Sequence, residues 1–473
     1  MQTKQDVADW LDEHEIRFTQ MSDEIWANPE LKFQEFKASK LQADFLEAEG
    51  FEITWDIGGL STAFAAEWGA GKPVIAFAGE YDALPGLSQK QQSAPEPIIE
   101  GASGHGCGHN LLGTGCLAAA LAFKEWLAAT GNKATVRYYG CPAEEGGSGK
   151  VYMGRSGAFD DIDATFNWHP GHINQASKGS LLGVNRYHFR FKGRTSHAAA
   201  DPHMGRSALD AVELMNIGVN YLREHVSGDV RIHYIITDGG LAPNIVPGTA
   251  ETYYYIRAHH PDTLADVTRR VIKIGEGAAL MTETEFAPVY ISSSTSLLSN
   301  ETLADLQYEV MQALGPIEFT EAEQAYAAQI NAHYSEDNKR ELANTYQMDM
   351  KDADQPLIGN VIPSNDKGRV SPGSSDIGDM SWITPLSMLN TTTWASCASA
   401  HSWGAVATGS TSIGYKGMMY AAKVMAISAL ELILSPERLA AARAEFADAL
   451  ARNPYQCPIP AELPAPSYKH PLR

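Results

Sequence analysis

Positive charge and cysteine are both scarce in this chain of 473 residues. Its 36 lysines and arginines face 57 aspartates and glutamates, which leaves a net charge of −21 at pH 7. Such a balance repels phosphate backbones and anionic membrane surfaces, so we expect neither nucleic acid nor a membrane as partner. The five cysteines are an odd, scattered set, and the first ten residues lack an apolar leader. Both features predict a cytoplasmic protein without a disulfide framework.

Long uninterrupted hydrophobic runs are also absent. The most apolar stretch, residues 111–129, contains Lys124, Glu125 and two glycines, so it predicts a buried helix rather than a membrane span. A chain of this length exceeds what one hydrophobic core usually serves. We therefore expect two domains, one of them inserted within the other.

The first part of the chain alternates between strand and helix patterns. Runs rich in β-branched and aromatic residues occupy positions 74–77, 135–139 and 164–168, and the helical stretch lies between the first two. Each run ends in polar residues, which are Glu80 and Asp82, then Glu144 and Glu145, then His169. This pattern predicts an α/β fold with mainly parallel strands and a site beyond their carboxyl ends.

From about residue 185 to 292 the pattern changes to strand, helix, strand, strand, helix, strand. That order predicts a split β-α-β-β-α-β (ferredoxin-like) unit, with helices on one face and exposed edge strands. We interpret it as a lid or dimerisation domain at residues 184–297. The catalytic domain would then have two parts, residues 1–183 and 298–473. Within the second part, the polar residues 335–373 predict a long, partly ordered insertion.

The densest chemical signal is residues 104–110, Gly-His-Gly-Cys-Gly-His-Asn, which place a thiol and two imidazoles within five positions. Cys107 and His109 are separated by one residue, so both side chains can face one side of an extended turn. Thiol and imidazole are common zinc ligands, and glycines let a chain turn tightly around an ion. A glycine-rich turn that opens a helix is the alternative.

Glu144 and Glu145 follow a predicted strand and precede two glycines. Adjacent carboxylates repel each other unless a cation lies nearby, so the pair is independent evidence for a metal site. One carboxylate can bind an ion while the other takes a proton from water. A solvated acidic turn is the alternative in so acidic a chain. His169 and His401, each taken alone, could be ordinary histidines.

Taken together, these segments resemble the metallopeptidase and aminoacylase family that includes hippurate hydrolase, indole-3-acetyl-amino-acid hydrolases and carboxypeptidase G. The segments that carry the resemblance are Asn28-Pro29-Glu30, Glu80-Tyr81-Asp82-Ala83-Leu84-Pro85, residues 104–110, Pro142-Ala143-Glu144-Glu145-Gly146-Gly147, Trp168-His169 and Ala400-His401. They keep their order over nearly the whole chain. The resemblance implies a mixed-sheet, two-metal aminopeptidase-like catalytic domain that cleaves the amide bond of an N-acyl amino acid.

Within that family, four segments are most similar to enzymes that hydrolyse p-aminobenzoyl-glutamate. They are residues 79–87, 104–114, 375–382 and 412–418. The resemblance thus implies p-aminobenzoyl-glutamate as substrate, with p-aminobenzoate and glutamate as products. The alternatives are a hydrolase of another N-acyl amino acid, of the indole-3-acetyl-aspartate type, or a non-catalytic metal-binding partner subunit.

The resemblance also implies roles for individual residues. Two divalent ions, Zn or Mn, would be held by Cys107, His109, Glu145, His169 and His401. Glu144 would be the general base, and Asp82 would orient a ligating histidine. His105 would be structural, and no role follows for Glu80.

The inserted unit carries three further candidates. By resemblance, His197 would reach the active site of the partner subunit, while Asn244 and Arg257 would hold the amide oxygen and the terminal carboxylate of the substrate. An exposed strand charge is the alternative for Arg257, and turn chemistry is the alternative for Asn244. A shared site predicts a homodimer or a heterodimer with a related subunit.

Overall fold

The computed structural model describes residues 1–466 and 468–473, which form two compact units. Unit 1 comprises residues 1–179, 298–369 and 379–473, and unit 2 comprises residues 180–297 and 370–378. The sequence-based division into domains at residues 184 and 298 stays a prediction.

The helices are α1 (Lys4–Glu13), α2 (Glu15–Ala27), α3 (Phe36–Ala48), α4 (His109–Thr130), α5 (Gly149–Arg155), α6 (Ala208–Leu222), α7 (Pro261–Thr282), α8 (Glu301–Leu314), α9 (Glu321–Asn331), α10 (Asp337–Tyr346), α11 (Met350–Ala353), α12 (Ile377–Ser381), α13 (Trp403–Thr408), α14 (Ser412–Leu434) and α15 (Pro436–Arg452). The strands are β1 (Glu52–Trp55), β2 (Phe64–Gly69), β3 (Val74–Glu80), β4 (Thr135–Cys141), β5 (Ala164–Gly171), β6 (Gln175–Ala176), β7 (Ser180–Leu181), β8 (Gly183–Lys192), β9 (Arg231–Asp238), β10 (Thr249–Ala258), β11 (Glu285–Ser294), β12 (Val370–Ser371) and β13 (Leu386–Thr392).

Unit 1 is built on a mixed sheet with the strand order β1-β2-β4-β3-β5-β13-β6. The centre is parallel, because β3 pairs in parallel with β4 and β5, and β5 pairs in parallel with β13. The outer pairings, β1 with β2, β2 with β4 and β6 with β13, are antiparallel. The predicted α/β class with a mixed sheet is therefore confirmed. Glu80 is paired with Cys141 in the register, so the segments that follow β3 and β4 leave the sheet at the same edge.

Two helices of unit 1, α4 and α14, are long and apolar enough to cross a membrane by length and composition. Their apolar windows are 83% and 78% buried within the structure. A core helix of a soluble protein meets the same criteria when it is mostly buried, so these criteria carry little weight here. For residues 111–129, the predicted buried helix is confirmed by α4.

Residues 335–373 are more regular than the expected partly ordered insertion. They contain α10, α11 and β12, and Leu342, Ile358 and Ile362 form a buried cluster with Ile173. Apolar residues in this stretch are too few and too widely spaced to show a period. They are buried because a distant part of the chain supplies the rest of the cluster.

Unit 2 contains a four-stranded antiparallel sheet with the order β11-β8-β10-β9. Along the chain its elements follow the order β8, α6, β9, β10, α7, β11. Alternate residues of β8 and β10, among them Phe189, Tyr254 and Ile256, are buried with apolar residues of α6 and α7. Because neighbouring residues of a strand point to opposite faces, Arg186 and Arg257 lie on the other face of the sheet.

Candidate functional site

Cys107 and His109 lie where a loop turns into α4. The turn requires glycine at position 108, which has a φ of +77°, and a Cβ there would lie 2.9 Å from Pro170 Cγ. His109 Nδ1 lies 3.0 Å from Asp82 Oδ1. Because a carboxylate only accepts, Nδ1 carries a proton, so Nε2 holds a lone pair whenever the ring is neutral. Nε2 is buried and makes no hydrogen bond to any of the described residues.

Cys107 belongs to two groups of possible metal ligands. One group is Cys107, His109 and His169, and the other is Cys107, Glu145 and His401. Within each group the ligand atoms lie no more than 4.8 Å apart. The structure therefore brings together all five residues predicted to hold metal, and a thiolate shared by two groups suits a pair of ions.

The remaining ligands are presented by different segments. His169 is in β5, where its Nδ1 donates to the Pro170 carbonyl at 2.7 Å, while its Nε2 lies 3.4 Å from Cys107 Sγ. His401 Nε2 lies 3.3 Å from Glu145 Oε1. His401 has a φ of +58°, a conformation that non-glycine residues seldom adopt and that is concentrated at functional sites.

The donor set fits divalent metal ions. Glu145 Oε1 and His109 Nε2 are both buried and fail the geometric criteria for a hydrogen bond in the described part of the chain, although His401 Nε2 lies 3.3 Å from the first and Glu80 Oε2 3.2 Å from the second. A thiolate, imidazoles and a carboxylate are ligands that zinc accepts, and manganese tolerates the last two kinds. An ion held here would take a lone pair from each of these two atoms.

The electrostatics of the group favour the thiolate and carboxylate forms that bind metal, whereas His401 would have to lose a proton to become a ligand. Burial and the Glu145 charge raise the pKa of Cys107, but His169 and His109 outweigh them and lower it to about 6. Burial also raises the pKa of Glu145, yet the hydrogen bond from His401 and the charge of His109 bring it to about 2. Contacts with Cys107 and Glu145 raise the pKa of His401 to about 10. Thiolate and carboxylate are therefore available at neutral pH.

Glu144, the predicted base, stands beside these ligands. Its Oε2 lies 4.0 Å from His109 Nε2, and its side chain is 10% exposed. The preceding residue, Ala143, has a φ of +61°, and its backbone N–H donates to buried Glu35 at 2.9 Å. This constrained turn directs Glu144 and Glu145 to different positions, although they are adjacent in sequence.

Asp82 connects two of the ligand segments. One carboxylate oxygen accepts from His109 Nδ1, and the other accepts from the backbone N–H of Glu145 at 2.8 Å. This is the position that the predicted orienting role requires. His105 points elsewhere, because its Nε2 lies 3.2 Å from the Ile25 carbonyl, and burial lowers its pKa to about 3. It belongs to neither of the two groups that share Cys107.

Sequence reasoning missed an ion pair behind the site. Lys150 Nζ lies 2.6 Å from Glu80 Oε1, and the two side chains are 0% and 2% exposed. Glu80 Oε2 in turn lies 3.2 Å from His109 Nε2, so the residue to which no role was assigned contacts a predicted ligand. The alternation of Glu80 and Asp82 at the end of β3 could have indicated Glu80. No local pattern indicates Lys150, which approaches from α5.

We expect the substitution Lys150→Met to destabilise the protein strongly. It would leave the Glu80 carboxylate buried with its main cationic partner removed, a change that typically costs about 3–5 kcal/mol. Urea unfolding of metal-free protein measures the loss. Lys40→Met is the matched control, because the Lys40–Asp44 pair is on the surface and such pairs contribute about 0–1 kcal/mol. Equal losses in the two variants would contradict the expectation, whereas adding Glu80→Gln to Lys150→Met should restore part of the stability.

The other three predicted residues lie in unit 2, whereas the ligand groups lie in unit 1. The segments of His197 and Asn244 are adjacent, since the Ala198 N–H donates to the Asn244 carbonyl at 3.0 Å. His197 Nδ1 accepts from the Ala200 N–H at 3.0 Å, so the neutral ring carries its proton on Nε2 and can donate it. Arg257, in β10, donates to Ser374 Oγ at 2.8 Å. The functional roles of these three residues stay predictions.

Comparison with known proteins gives consistent findings. The sequence model described as Peptidase family M20/M25/M40 matches residues 76–353. One of the subunits of the p-aminobenzoyl-glutamate hydrolase of Escherichia coli (strain K12) is 41% identical over 472 residues, which cover 97% of this chain and 98% of that protein. The Xaa-Arg dipeptidase of Mus musculus is 33% identical over 330 residues, or 66% of this chain and 72% of that protein.

A solved structure supports the same fold. A dinuclear metal-binding peptidase of family M20 from Bacillus subtilis superimposes with a TM-score of 0.58 over 90% of this chain and 99% of its own. The two sequences are 19% identical, so this likeness concerns the fold alone.

Proposed function

Because this chain belongs to peptidase family M20/M25/M40, we propose that it hydrolyses the amide bond of an N-acyl amino acid, with p-aminobenzoyl-glutamate as the first candidate substrate. The family and the enzyme class expected from the sequence, a hydrolase of amide bonds, are confirmed by this membership. The observation that carries the proposal is the double ligand group around Cys107 with Glu144 beside it. The identity to one subunit of a p-aminobenzoyl-glutamate hydrolase over nearly the full chain supports the choice of substrate.

Two divalent ions would be held by Cys107, His109, Glu145, His169 and His401, with Cys107 contributing to both ligand groups. When bound, such ions polarise an amide carbonyl and lower the pKa of water. The thiolate favours zinc, while the imidazoles and the carboxylate accept zinc or manganese. The protein contributes a fixed ligand geometry, since Asp82 holds His109 in the tautomer that leaves Nε2 unprotonated.

The chain's own residues would carry the proton transfers and stabilise the developing charge. Glu144 takes a proton from the attacking water and later delivers it to the leaving nitrogen, as a general base and then a general acid. The N–H at His197 Nε2 donates to the oxygen that becomes negative in the transition state. Asn244 donates to the same amide oxygen from the segment beside His197.

Arg257 would hold the terminal carboxylate of the substrate. We expect Arg257→Gln to raise KM for an N-acyl amino acid about 10- to 100-fold, because a hydrogen bond between charged groups contributes about 1.5–3 kcal/mol. KM for the corresponding C-terminal amide should change little. The control is Arg231→Gln, since Arg231 is the cross-strand neighbour of Arg257 and donates to the carbonyls of Gly228 and Val230. An equal rise in KM for the acid and the amide would remove Arg257 from carboxylate recognition.

Unit 2 would act as a ferredoxin-like lid and dimerisation domain. Its edge strand β9 exposes Ile235 and Ile236, and an exposed apolar edge strand can pair with another chain. A homodimer or a heterodimer with a related subunit would satisfy this edge, and the similar E. coli protein is itself named as a subunit. The five cysteines form no disulfide in the described part of the chain, which supports a location in the reducing cytoplasm.

Metal analysis of the purified protein, combined with a screen of N-acyl amino acids, tests the proposal. We expect close to two equivalents of zinc or manganese per chain and release of glutamate from p-aminobenzoyl-glutamate. Faster hydrolysis of an indole-3-acetyl conjugate would reassign the substrate. Full metal content without turnover of any conjugate would favour the non-catalytic partner subunit instead.

A further inference from the structure

A second arginine lies beside Arg257 on the face of the unit 2 sheet opposite the helices α6 and α7. Arg186 of β8 is the cross-strand partner of Tyr255 in β10. Its guanidinium carbon is 5.0 Å from the centroid of the Tyr255 ring, and that of Arg257 is 5.7 Å from the same centroid. The two cationic groups therefore share one aromatic ring.

Neither guanidinium has a carboxylate partner among the described residues. Throughout residues 1–466 and 468–473, Arg186 and Arg257 form no ion pair; their side-chain hydrogen bonds go to Ser292 Oγ, Ser374 Oγ and the Pro372 carbonyl. The Nε atoms of both are buried and without a hydrogen bond in this part of the chain. Arg190, by contrast, lies on the same strand and pairs with Glu251 at 2.6 Å. Arg231 of the same sheet also lacks an ion pair within the described ranges, but it is exposed and donates to the carbonyls of Gly228 and Val230. Arg186 and Arg257 differ from it in having a buried Nε without a hydrogen bond to any described residue.

The burial of Arg186 makes this arrangement costly without an anion. The residue is only 7% exposed, and a buried charge is normally paired. Burial is the main cause that lowers the pKa of Arg257, and repulsion by the charge of Arg186 lowers it further. One carboxylate would compensate one guanidinium and leave the other uncompensated. A ligand with two carboxylates would compensate both.

Two serines hold the guanidiniums in place from different segments. Ser292 of β11 accepts from Arg186 Nη1 at 3.0 Å, and Ser374 accepts from Arg257 Nη1 at 2.8 Å. Neither contact uses Nε, which is left without an acceptor among the described residues in both arginines. A planar guanidinium with a free edge matches a carboxylate better than a single point charge does.

We propose that Arg186 and Arg257 together bind the two carboxylates of an acidic amino-acid moiety, with Arg186 taking the side-chain carboxylate and Arg257 the α-carboxylate. This inference rests on the proposed function and makes Arg186 the residue that selects conjugates of glutamate or aspartate. Conjugates of neutral amino acids leave Arg186 unpaired, and conjugates of basic amino acids are repelled by it.

The kinetic test compares p-aminobenzoyl-glutamate with p-aminobenzoyl-glutamine, which differ only in the side-chain carboxylate. Metal-loaded wild-type protein should prefer the glutamate conjugate in kcat/KM by about 10- to 100-fold. Arg186→Gln should remove most of this preference by raising KM for the glutamate conjugate alone, and Arg186→Lys should restore part of it. The matched control, Arg190→Gln, should keep the full preference. An equal loss for both conjugates, or no preference in the wild type, would overturn the proposal.

A binding measurement separates this proposal from the proposed function. Calorimetric titration of the metal-loaded protein with glutarate, a dicarboxylate that has no amide to cleave, should show binding that weakens about 10-fold or more in Arg186→Gln. Thermal unfolding checks that the variant is folded. Glutarate binding that depends on Arg186, without hydrolysis of any conjugate, would refute the proposed function and retain the dicarboxylate site. Glutarate binding that is unchanged in Arg186→Gln would refute the site itself.

Discussion

Glu144→Gln is expected to lower kcat by about 10²- to 10⁴-fold, the usual contribution of a general base, while the metal content stays at the wild-type level. The amide has nearly the shape of the carboxylate but cannot accept a proton. Glu144 Oε2 lies 4.0 Å from His109 Nε2, close enough to act on a water held at the ligand group, and Glu144 groups with Glu80 and His109 rather than with Cys107.

The neighbouring substitution Glu145→Ala is the matched comparison. Glu145 lies in one ligand group with Cys107 and His401, so its removal should reduce the metal content as well as the turnover. Metal analysis and kcat measured on the same preparations distinguish the two carboxylates. A Glu144→Gln enzyme that is fully loaded with metal and fully active would exclude Glu144 as the base.

Mixing two inactive variants should restore activity if His197 serves the site of a neighbouring subunit. In separate homodimers, His197→Ala and Glu144→Gln each damage every site. In a heterodimer, one site carries both defects and the other carries neither. Activity should therefore return to about half of the wild-type level per heterodimer, because the donor and the base act within one assembled site.

The experiment requires two differently tagged variants that are co-expressed and purified through both tags. His203→Ala, a substitution of an exposed histidine six residues further along the chain, should be active as a homodimer and serves as the control. A doubly tagged dimer of the two variants that is as inactive as its parents would refute the shared site. The protonated Nε2 of His197 is consistent with the donor role in either arrangement.

Much of the local architecture follows from short-range patterns. The sequence predicts strands at 74–77, 135–139 and 164–168, which correspond to β3, β4 and β5, because β-branched and aromatic runs bounded by polar residues are typical of buried strands. The observed strands continue beyond these predictions at their carboxyl ends, to Glu80, Cys141 and Gly171. Site residues such as Glu80 and His169 therefore lie in the strands themselves, where they are buried or half-buried. Because Glu80 and His169 are polar, the sequence pattern predicts that the strands end before them.

Some of the predicted metal ligands follow from their spacing in the sequence, and others follow only from the family resemblance. Cys107 and His109 are indicated by their own spacing, because two ligands separated by one residue can face the same ion. His169 and His401 have no such neighbour, and only resemblance to a family indicated them. The structure brings all four together with Glu145, which a periodicity argument could not show for residues so distant in the chain.

By itself, the sequence determined the family, the enzyme class, the α/β alternation and the chemical motifs at positions 104–110 and 144–145, since each depends on residues close together in the chain or on a pattern kept along its whole length. The tertiary structure alone decided that Lys150 neutralises Glu80 behind His109, that Asp82 connects His109 with the Glu145 backbone, and that Arg186 stands beside Arg257 without an ion pair in the described part of the chain. These are contacts between segments that lie far apart in the chain or on different strands. Whether a charge is buried, paired or left for a ligand depends on which partner folding brings within hydrogen-bond distance, and no local pattern specifies that partner.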